Sequence, residues 1–187
     1  MKIVFIEPKA PDVHVYTRMP LPRLGTLLLG TTLRDKGYKI KVQIEALGDF
    51  DMSAVTEADV IAISIITATA PAGYEMARQL RPLKKPIVFG GPHATYMPEE
   101  TLRYGDFVLR GEADETMLSF IRALEINKGF EEIPGLSFWK NGAMMHNERP
   151  AYCQNLDILP APDFNLIANQ QKRMNVTPIM TSRGCPY

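Results

Sequence analysis

Cysteine is scarce in this sequence, which contains only Cys153 and Cys185 among 187 residues. Two cysteines do not build the disulfide framework of a secreted domain, so we expect a reducing, cytoplasmic setting. Long apolar runs are also missing. The opening MKIVFIEPKAP reaches an acid and a proline too early for a signal peptide. No stretch approaches the roughly 20 apolar residues of a membrane span.

Neither sign of charge is in excess, because Lys and Arg together number 21 and so do Asp and Glu. Proteins that coat nucleic acid usually carry a basic excess, so this balance predicts no nucleic-acid partner. With 45% hydrophobic and 22% charged residues, the composition is that of an ordinary globular protein. The length suffices for one α/β domain with an appendage.

The glycine motifs that bind phosphate are absent from the first loop, EPKAPDVHVYTRMPLP, which contains neither GxGxxG nor GxxxxGK[ST]. This weakens a dinucleotide or P-loop interpretation. A receiver domain needs acids at the ends of its first and third strands. Glu7 satisfies the first requirement, but the third strand ends in SIIT. A flavodoxin-like receiver or nucleotide-binding domain stays as an alternative.

Strands and helices alternate five times at the start of the chain. Apolar runs predict strands at 2–7, 38–45, 59–67, 86–91 and 106–112. Helices are predicted at 23–37, 51–58, 70–83, 98–105 and 114–129. This alternation predicts an α/β fold with a doubly wound, Rossmann-like or flavodoxin-like parallel sheet of five strands.

Three parts of the chain are expected: a domain at 1–130, a hairpin and linker at 131–176, and a separate segment at 177–187. Asn141-Gly142 lies between two β-prone runs, which is a strong hairpin signal. The proline-containing LDILPAPDFNLI predicts an extended linker.

Ligands of doubly wound sheets bind outside the carboxyl ends of the strands. Small and hydroxyl side chains follow the third strand, two glycines end the fourth, and charges follow the fifth. Small residues let a ligand approach the backbone, and hydroxyls donate hydrogen bonds. The candidate binding residues are Ser64, Ile66, Thr67, Ala68, Gly90, Gly91, Pro92, His93, Arg110, Gly111 and Glu112.

Structural roles compete with binding at several of these positions. Thr67 or Thr69 suits a helix N-cap, and a lone His93 is often structural. Arg110 and Glu112 can pair with each other or cap the helix that starts at 114.

Several stretches together resemble one family, the cobalamin-binding radical S-adenosylmethionine enzymes. They are DVIAISIIT, IVFGGPHATYMPEETLRYGDFVLRGEADET, IPGLSFWKNG, LDILPAPDFNLI and TSRGCPY. The resemblance implies an N-terminal cobalamin-binding domain. Ser64 and Ile66 match the SxL motif of methionine-synthase-type cobalamin proteins, with Ile for Leu. Gly90 and Gly91 match the paired glycines. In that family these positions line the channel for the nucleotide tail.

The same resemblance makes Cys185 the first thiolate of a CxxxCxxC motif that holds a 4Fe-4S cluster and, through it, S-adenosylmethionine. The other two cysteines would follow position 187, so we expect a chain that stops at the start of a radical barrel, with 177–182 as its first strand. A chance cysteine is the alternative, and Cys185 alone cannot hold a cluster.

The first loop departs from the family of methionine synthase, whose DxHxxG motif supplies a histidine to cobalt. Asp12 and His14 give DxH, but no glycine follows. We expect this match to be a coincidence and the lower cobalt face to be open, water-bound or covered by the loop. Val13, His14 and Tyr16 are the candidates for that contact.

By resemblance, the full protein would cleave S-adenosylmethionine, abstract hydrogen from an unactivated carbon and take a methyl group from methylcobalamin. Some relatives cyclise or rearrange their substrates instead. This chain alone is expected to bind cofactor without catalysis, with its own barrel as partner. The main alternative is a degenerate domain that no longer binds cobalamin.

Overall fold

A computed structural model describes residues 1–11, 21–149, 153, 155–171, 174 and 176–183. The predicted first-loop contacts Val13, His14 and Tyr16 and the predicted cluster ligand Cys185 lie outside these described residues. The structure therefore does not test the roles predicted for these four residues.

A single seven-stranded sheet organises the molecule, in the order β2-β1-β3-β4-β5-β6-β7. Its strands are β1 Lys2–Glu7, β2 Lys39–Ile44, β3 Val60–Ser64, β4 Ile87–Gly90, β5 Phe107–Leu109, β6 Leu136–Lys140 and β7 Ala143–His146. The first five strands are parallel, and the last two pair antiparallel. The predicted doubly wound parallel sheet is confirmed.

The part of the chain that the structure describes has six helices: α1 Leu24–Asp35, α2 Met52–Glu57, α3 Ala70–Leu80, α4 Pro92–Tyr96, α5 Pro98–Thr101 and α6 Thr116–Ile126. Sequence analysis missed α4. Pro92 occupies its first turn, where proline is tolerated because the missing N–H has no helical partner. Pro98 then ends the run, since the residue before a proline avoids helical geometry, and Met97 has φ −124° and ψ 53°.

The two faces of the sheet carry different helices. On one face, α1 and α6 share a buried apolar cluster with strand side chains such as Ile3 and Leu136. On the other face, α2, α3, α4 and Leu102, which follows α5, pack against side chains such as Ile63 and Phe89. Within the sheet, β2 lies on one side of β1, whereas β3, β4 and β5 follow one another on the other side of β1. Right-handed crossovers in opposite directions must lie on opposite faces.

The predicted hairpin forms at the Asn141-Gly142 turn, where both residues have positive φ values of 52° and 81°. This is the conformation that a two-residue hairpin turn requires. The hairpin is not separate from the sheet, because β6 pairs with β5 and places Leu136 opposite Leu109. It therefore extends the five parallel strands by two.

The linker differs from the extended conformation predicted for it. It contains two 3-10 turns, Leu156–Ile158 and Phe164–Leu166, and it returns to the far edge of the sheet. There Ile167 bridges Val42, and the side chain of Asn169 accepts from the Ile44 N–H at 3.1 Å. An amide that satisfies an edge strand replaces the missing neighbour, which is why the linker stays against β2.

The prediction of a strand at 177–182 is wrong for this structure, since residues 176–183 have no regular secondary structure. A parallel strand needs a neighbour that accepts and donates along its length. No strand is paired with this segment within the part of the chain that the structure describes.

Candidate functional site

A cavity of about 670 Å³ lies on the face that carries α1 and α6. It exists because these two helices cover the flanks of the face, whereas the connections on either side of β4 pack on the other face. The gap above β3 and β4 opens at the carboxyl ends of the strands. Its walls include Arg23, Leu24, Gly25 and Leu29 near α1, and Asp114 and Met117 near α6. This is the place where doubly wound sheets bind ligands.

The floor of the cavity consists of small side chains on two neighbouring strands. Ala62 and Ser64 on β3 and Gly90 on β4 all line it, and Ser64 is directly opposite Gly90. A Cβ atom added at Gly90 would have the Leu109 carbonyl oxygen as its nearest neighbour, 3.9 Å away. The protein therefore has room for a side chain at Gly90 and leaves that room to the cavity.

Gly91 is required for a different reason, although it follows Gly90 directly. Its φ is +92°, and a Cβ atom there would lie 2.6 Å from the Ile65 carbonyl oxygen. Only glycine fits such a turn at low cost. Gly91 thus permits the tight turn that leads from β4 into α4, whereas Gly90 leaves the cavity open above β4.

Arg23 and Glu7 form a partly buried polar network at one wall. Glu7 is only 3% exposed, and its carboxylate accepts from the Arg23 main-chain N–H at 3.1 and 3.2 Å. The Arg23 guanidinium donates to the Ser64 carbonyl oxygen at 2.6 Å and to Thr69 Oγ1 at 3.3 Å. Burial raises the pKa of Glu7, opposed by the charge of Arg23. Burial likewise lowers the pKa of Arg23.

A second charged group lies at the opposite wall, beside the start of α6. Arg183 forms an ion pair with the buried Asp114, and its guanidinium is 3.7 Å from Glu112. Met180 and Ser182 from the same segment also line the cavity. Residues 176–183 therefore contribute to the site, although sequence analysis placed them in a different part of the protein.

Of the eleven predicted binding residues that the structure describes, seven line the cavity and four do not. Those that line it are Ser64, Ile66, Gly90, Gly91, Pro92, Gly111 and Glu112. Thr67 and Ala68 are exposed in a 3-10 turn above it. Neither threonine caps α3 with its side chain: Thr69 occupies the N-cap position, but its Oγ1 accepts from the preceding Ile66 N–H at 3.1 Å.

His93 and Arg110 point into structural networks instead. His93 Nε2 is 3.1 Å from the Tyr74 hydroxyl, on the face opposite the cavity. Burial is the main cause that raises the pKa of Tyr74 to about 12. Arg110 donates to the carbonyl oxygens of Gly135 and Asn147, so it holds the β6–β7 hairpin and does not pair with Glu112.

Sequence analysis missed Arg23 and Gly25 as lining residues. Both occupy the first turn region of a helix whose apolar pattern alone was considered. Gly25 carried a usable signal, because glycine weakens a helix and a Cβ atom there would meet nothing within 4 Å. Because no protein atom is close to the Cβ position among the described residues, the space at Gly25 is open to the cavity that it lines.

Residues 13–121 match the profile of a B12 binding domain, which is more than half of the chain. The chain belongs to the B12-binding domain family. Cobalamin, the cofactor predicted from the sequence, is thereby confirmed as the ligand class of this family.

Two curated relatives of this B12-binding domain are methyltransferases. It is 28% identical over 180 residues to an uncharacterized methyltransferase of Pyrococcus horikoshii, covering 89% of this chain and 39% of that protein. It is 26% identical over 160 residues to the bacteriochlorophyllide d C-8(2)-methyltransferase of Chlorobaculum tepidum, covering 83% and 30%. The chain therefore spans less than half the length of these relatives.

Two solved structures share the fold of this B12-binding domain. One is the cobalamin-dependent S-adenosylmethionine radical enzyme OxsB with aqua-cobalamin and S-adenosylmethionine bound (TM-score 0.66, 17% identity, 80% of this chain and 22% of that chain). The other is the radical S-adenosylmethionine methyltransferase TsrM from Kitasatospora setae with cobalamin and a 4Fe-4S cluster bound (TM-score 0.61, 16% identity, 79% and 30%). At this identity the likeness concerns the fold. No helix of the described residues is long and apolar enough to cross a membrane.

Proposed function

We propose that this chain is the cobalamin-binding part of a longer cobalamin-dependent radical S-adenosylmethionine methyltransferase that acts on an unactivated carbon. The methyltransferase names of its relatives and the cobalamin-bound enzymes that share its fold support the proposal. The parts of the protein are proposed to be the cobalamin domain at 1–130, the hairpin and linker at 131–176, and the start of a radical barrel from 177. A cytoplasmic setting is part of the same proposal.

The observation that carries the cofactor assignment is the small-residue floor of the cavity. Ala62, Ser64 and Gly90 leave space above the middle strands, and the Gly90 position is open towards that space. A cavity of about 670 Å³ is within the range of small-molecule sites. It suits part of a large cofactor, with the remainder lying at the mouth. These residues therefore fit the nucleotide tail of cobalamin.

Within this site, Ser64 is proposed to donate a hydrogen bond to the tail, and Gly90 to let the tail lie against β4. Ile66, Pro92 and Gly111 would supply apolar or backbone contact, since each lines the cavity. Bound methylcobalamin supplies a methyl group for transfer. Val13, His14 and Tyr16 of the first loop remain proposed contacts for the lower cobalt face.

Cys185 is proposed as the first ligand of a 4Fe-4S cluster in the longer protein. The Arg183–Asp114 ion pair supports a connection between the two sites, because it holds the side chain of Arg183, two positions before Cys185 in the sequence, at the wall of the cavity. In the full-length protein, Cys185→Ala should abolish bound iron and the cluster's visible absorption while cobalamin retention stays unchanged. Unchanged iron content would contradict the assignment.

The decisive experiment for cobalamin is a titration of the purified chain with hydroxocobalamin, followed by gel filtration and visible absorbance. We expect the cofactor to co-elute with the wild-type protein. Gly90→Leu should prevent co-elution, because the side chain would fill the floor of the cavity. Ala143→Leu is the matched control, since it adds the same side chain at an exposed position of β7.

Failure of the wild type to retain hydroxocobalamin would favour a degenerate domain that does not bind the cofactor. Retention by Gly90→Leu would place the cofactor elsewhere. His14→Ala in the same assay tests the first loop. An unchanged spectrum is expected, whereas a shift would show that His14 ligates cobalt.

A further inference from the structure

Arg23 brings a positive charge to the wall of the cavity, directly beside Ser64. Its Nη1 lies 2.6 Å from the Ser64 carbonyl oxygen and 3.4 Å from the Ser64 hydroxyl. Arg23 lines the same cavity as Ser64 and Gly90. The guanidinium is therefore within reach of any ligand group that contacts the floor of the cavity.

The described acceptors of this guanidinium are all neutral. They are the carbonyl and hydroxyl oxygens of Ser64 and the hydroxyl oxygen of Thr69. Glu7 is the nearby acid, but both of its oxygens accept from the main-chain N–H of Arg23. Among the residues that the structure describes, no carboxylate oxygen lies within 4 Å of the guanidinium. The carboxylate of Glu7 thus partly offsets the positive charge of the guanidinium without accepting a hydrogen bond from it.

The charge of Arg183, the other arginine that lines the cavity, is compensated by carboxylates. Arg183 forms an ion pair with Asp114 and lies 3.7 Å from Glu112. Partly buried cations in proteins are normally paired in this way, because desolvation is costly. Arg23, by contrast, is held by hydrogen bonds to Ser64 and Thr69 and contacts no anion among the described residues. Within that part of the chain, its three contacts do not occupy all five N–H donors.

We propose that Arg23 binds an anionic phosphodiester group of the ligand and thereby selects a complete nucleotide-bearing corrinoid over one that lacks the nucleotide. The inference rests on the proposed function, in which the nucleotide tail of cobalamin enters this cavity. The tail carries one phosphodiester. The guanidinium is held through Nη1 and Nη2 by Ser64 and Thr69, and its Nε–H has no acceptor among the described residues. Such a group is suited to a phosphodiester, since arginine binds phosphate through paired, charge-assisted hydrogen bonds.

The surroundings strengthen this interaction. Leu24, Leu29 and Met117 are among the apolar side chains around the cavity, so water is partly excluded. A charge-assisted hydrogen bond is worth more in such an environment than at an exposed surface. Arg23 therefore acts as a specificity-determining residue, distinct from the small floor residues that provide only space.

The test measures dissociation constants of two probes, aquocobalamin and diaquocobinamide, for the wild type, Arg23→Gln and Arg23→Lys. Cobinamide keeps the corrin ring but lacks the phosphodiester nucleotide. Arg23→Gln should weaken aquocobalamin binding by about tenfold or more, as expected for a charged hydrogen bond. Its affinity for cobinamide should stay within about twofold of wild type. Arg23→Lys keeps the positive charge but loses the paired N–H donors of the guanidinium, so it should recover part of the lost aquocobalamin affinity.

Arg183→Gln is the matched control, because it neutralises an arginine of the same cavity that already has carboxylate partners. It should change the affinities for both probes by the same factor. Thermal unfolding of each variant checks the fold, and Arg23→Lys preserves the test if Arg23→Gln is unstable. An equal loss of affinity for both probes in the Arg23 variants would overturn the proposal and leave Arg23 a purely positioning role. Failure of the wild type to bind either probe would instead reject the proposed function.

Discussion

The two faces of the central sheet differ in how completely the chain covers them. On the closed face, α3 and the helices around Ala94 and Leu102 fill the space above β3 and β4, and Tyr74 stacks on Tyr104 at 4.2 Å. On the open face, α1 and α6 leave a cavity of about 670 Å³ above the same strands. One sheet therefore combines a close-packed core with a ligand site.

The different coverage of the two faces shows that the order in which the chain connects the strands determines where the site lies. Both faces of β3 carry apolar side chains, so the strand by itself does not determine which face stays open. The direction in which the chain leaves β1 and β3 sends the connecting helices to opposite faces. Small residues such as Ala62, Ser64 and Gly90 then keep the uncovered area accessible.

The largest expected effect is on the closed face, at the buried Leu80 of α3. Leu80→Ala should lower the free energy of unfolding by about 2–5 kcal/mol, because it leaves a hole in a close-packed core. Leu29→Ala on the open face should cost no more than about half of that, since Leu29 already borders empty space. Urea denaturation of the two variants measures both values. Equal losses would contradict the difference between the faces.

A pair of identical substitutions sharpens the comparison. A Cβ atom at Gly105 would lie 2.6 Å from the ring of Phe89, whereas one at Gly90 would have the Leu109 carbonyl oxygen as its nearest neighbour, at 3.9 Å. Gly105→Ala should therefore destabilise the protein by about 1–3 kcal/mol through overpacking. Gly90→Ala should change stability by less than about 0.5 kcal/mol yet weaken cobalamin binding. Thermal unfolding with and without hydroxocobalamin distinguishes the two. A large loss of stability in Gly90→Ala would show that protein atoms fill the space above Gly90, contrary to the cavity described there.

The pH dependence of stability should report the buried acid at the edge of the cavity. Burial raises the pKa of Glu7 above its ordinary value of 4.5. The folded protein then binds this proton more tightly than the unfolded chain does, so stability falls as pH rises from 4.5 through the raised pKa. Glu7→Gln should remove this decrease, as seen in unfolding free energies measured across the range. Glu57→Gln makes the same charge change at an exposed position and serves as the control. A wild-type slope retained in Glu7→Gln would contradict the assignment.

The smallest expected effect concerns the segment that borders the open face. Arg183 and Asp114 should show a coupling of about 1 kcal/mol in a double-mutant cycle of Arg183→Met and Asp114→Asn. The coupling arises because the Asp114 side chain is only 5% exposed and pairs with Arg183. Additive effects on the unfolding free energy would indicate that residues 176–183 do not hold to α6 in solution.

Local signals in the sequence predicted most of the elements of the fold. The five parallel strands and the hairpin turn at Asn141-Gly142 depend on short-range periodicity and on turn residues, so they can be predicted without knowledge of distant contacts. The helix at 92–96 was missed, because two prolines suggested a loop. The strand predicted at 177–182 was wrong, because a strand exists only with a partner.

The candidate site divides in the same way. The sequence by itself determined that Ser64 and Gly90 lie at strand ends with little side-chain volume, and both line the cavity. It did not determine that His93 turns to the closed face, that Arg23 enters the cavity, or that Arg183 returns to α6. Those outcomes depend on which face each crossover covers and on contacts between residues far apart in sequence. Only the tertiary structure decides these, because local propensity carries no information about them.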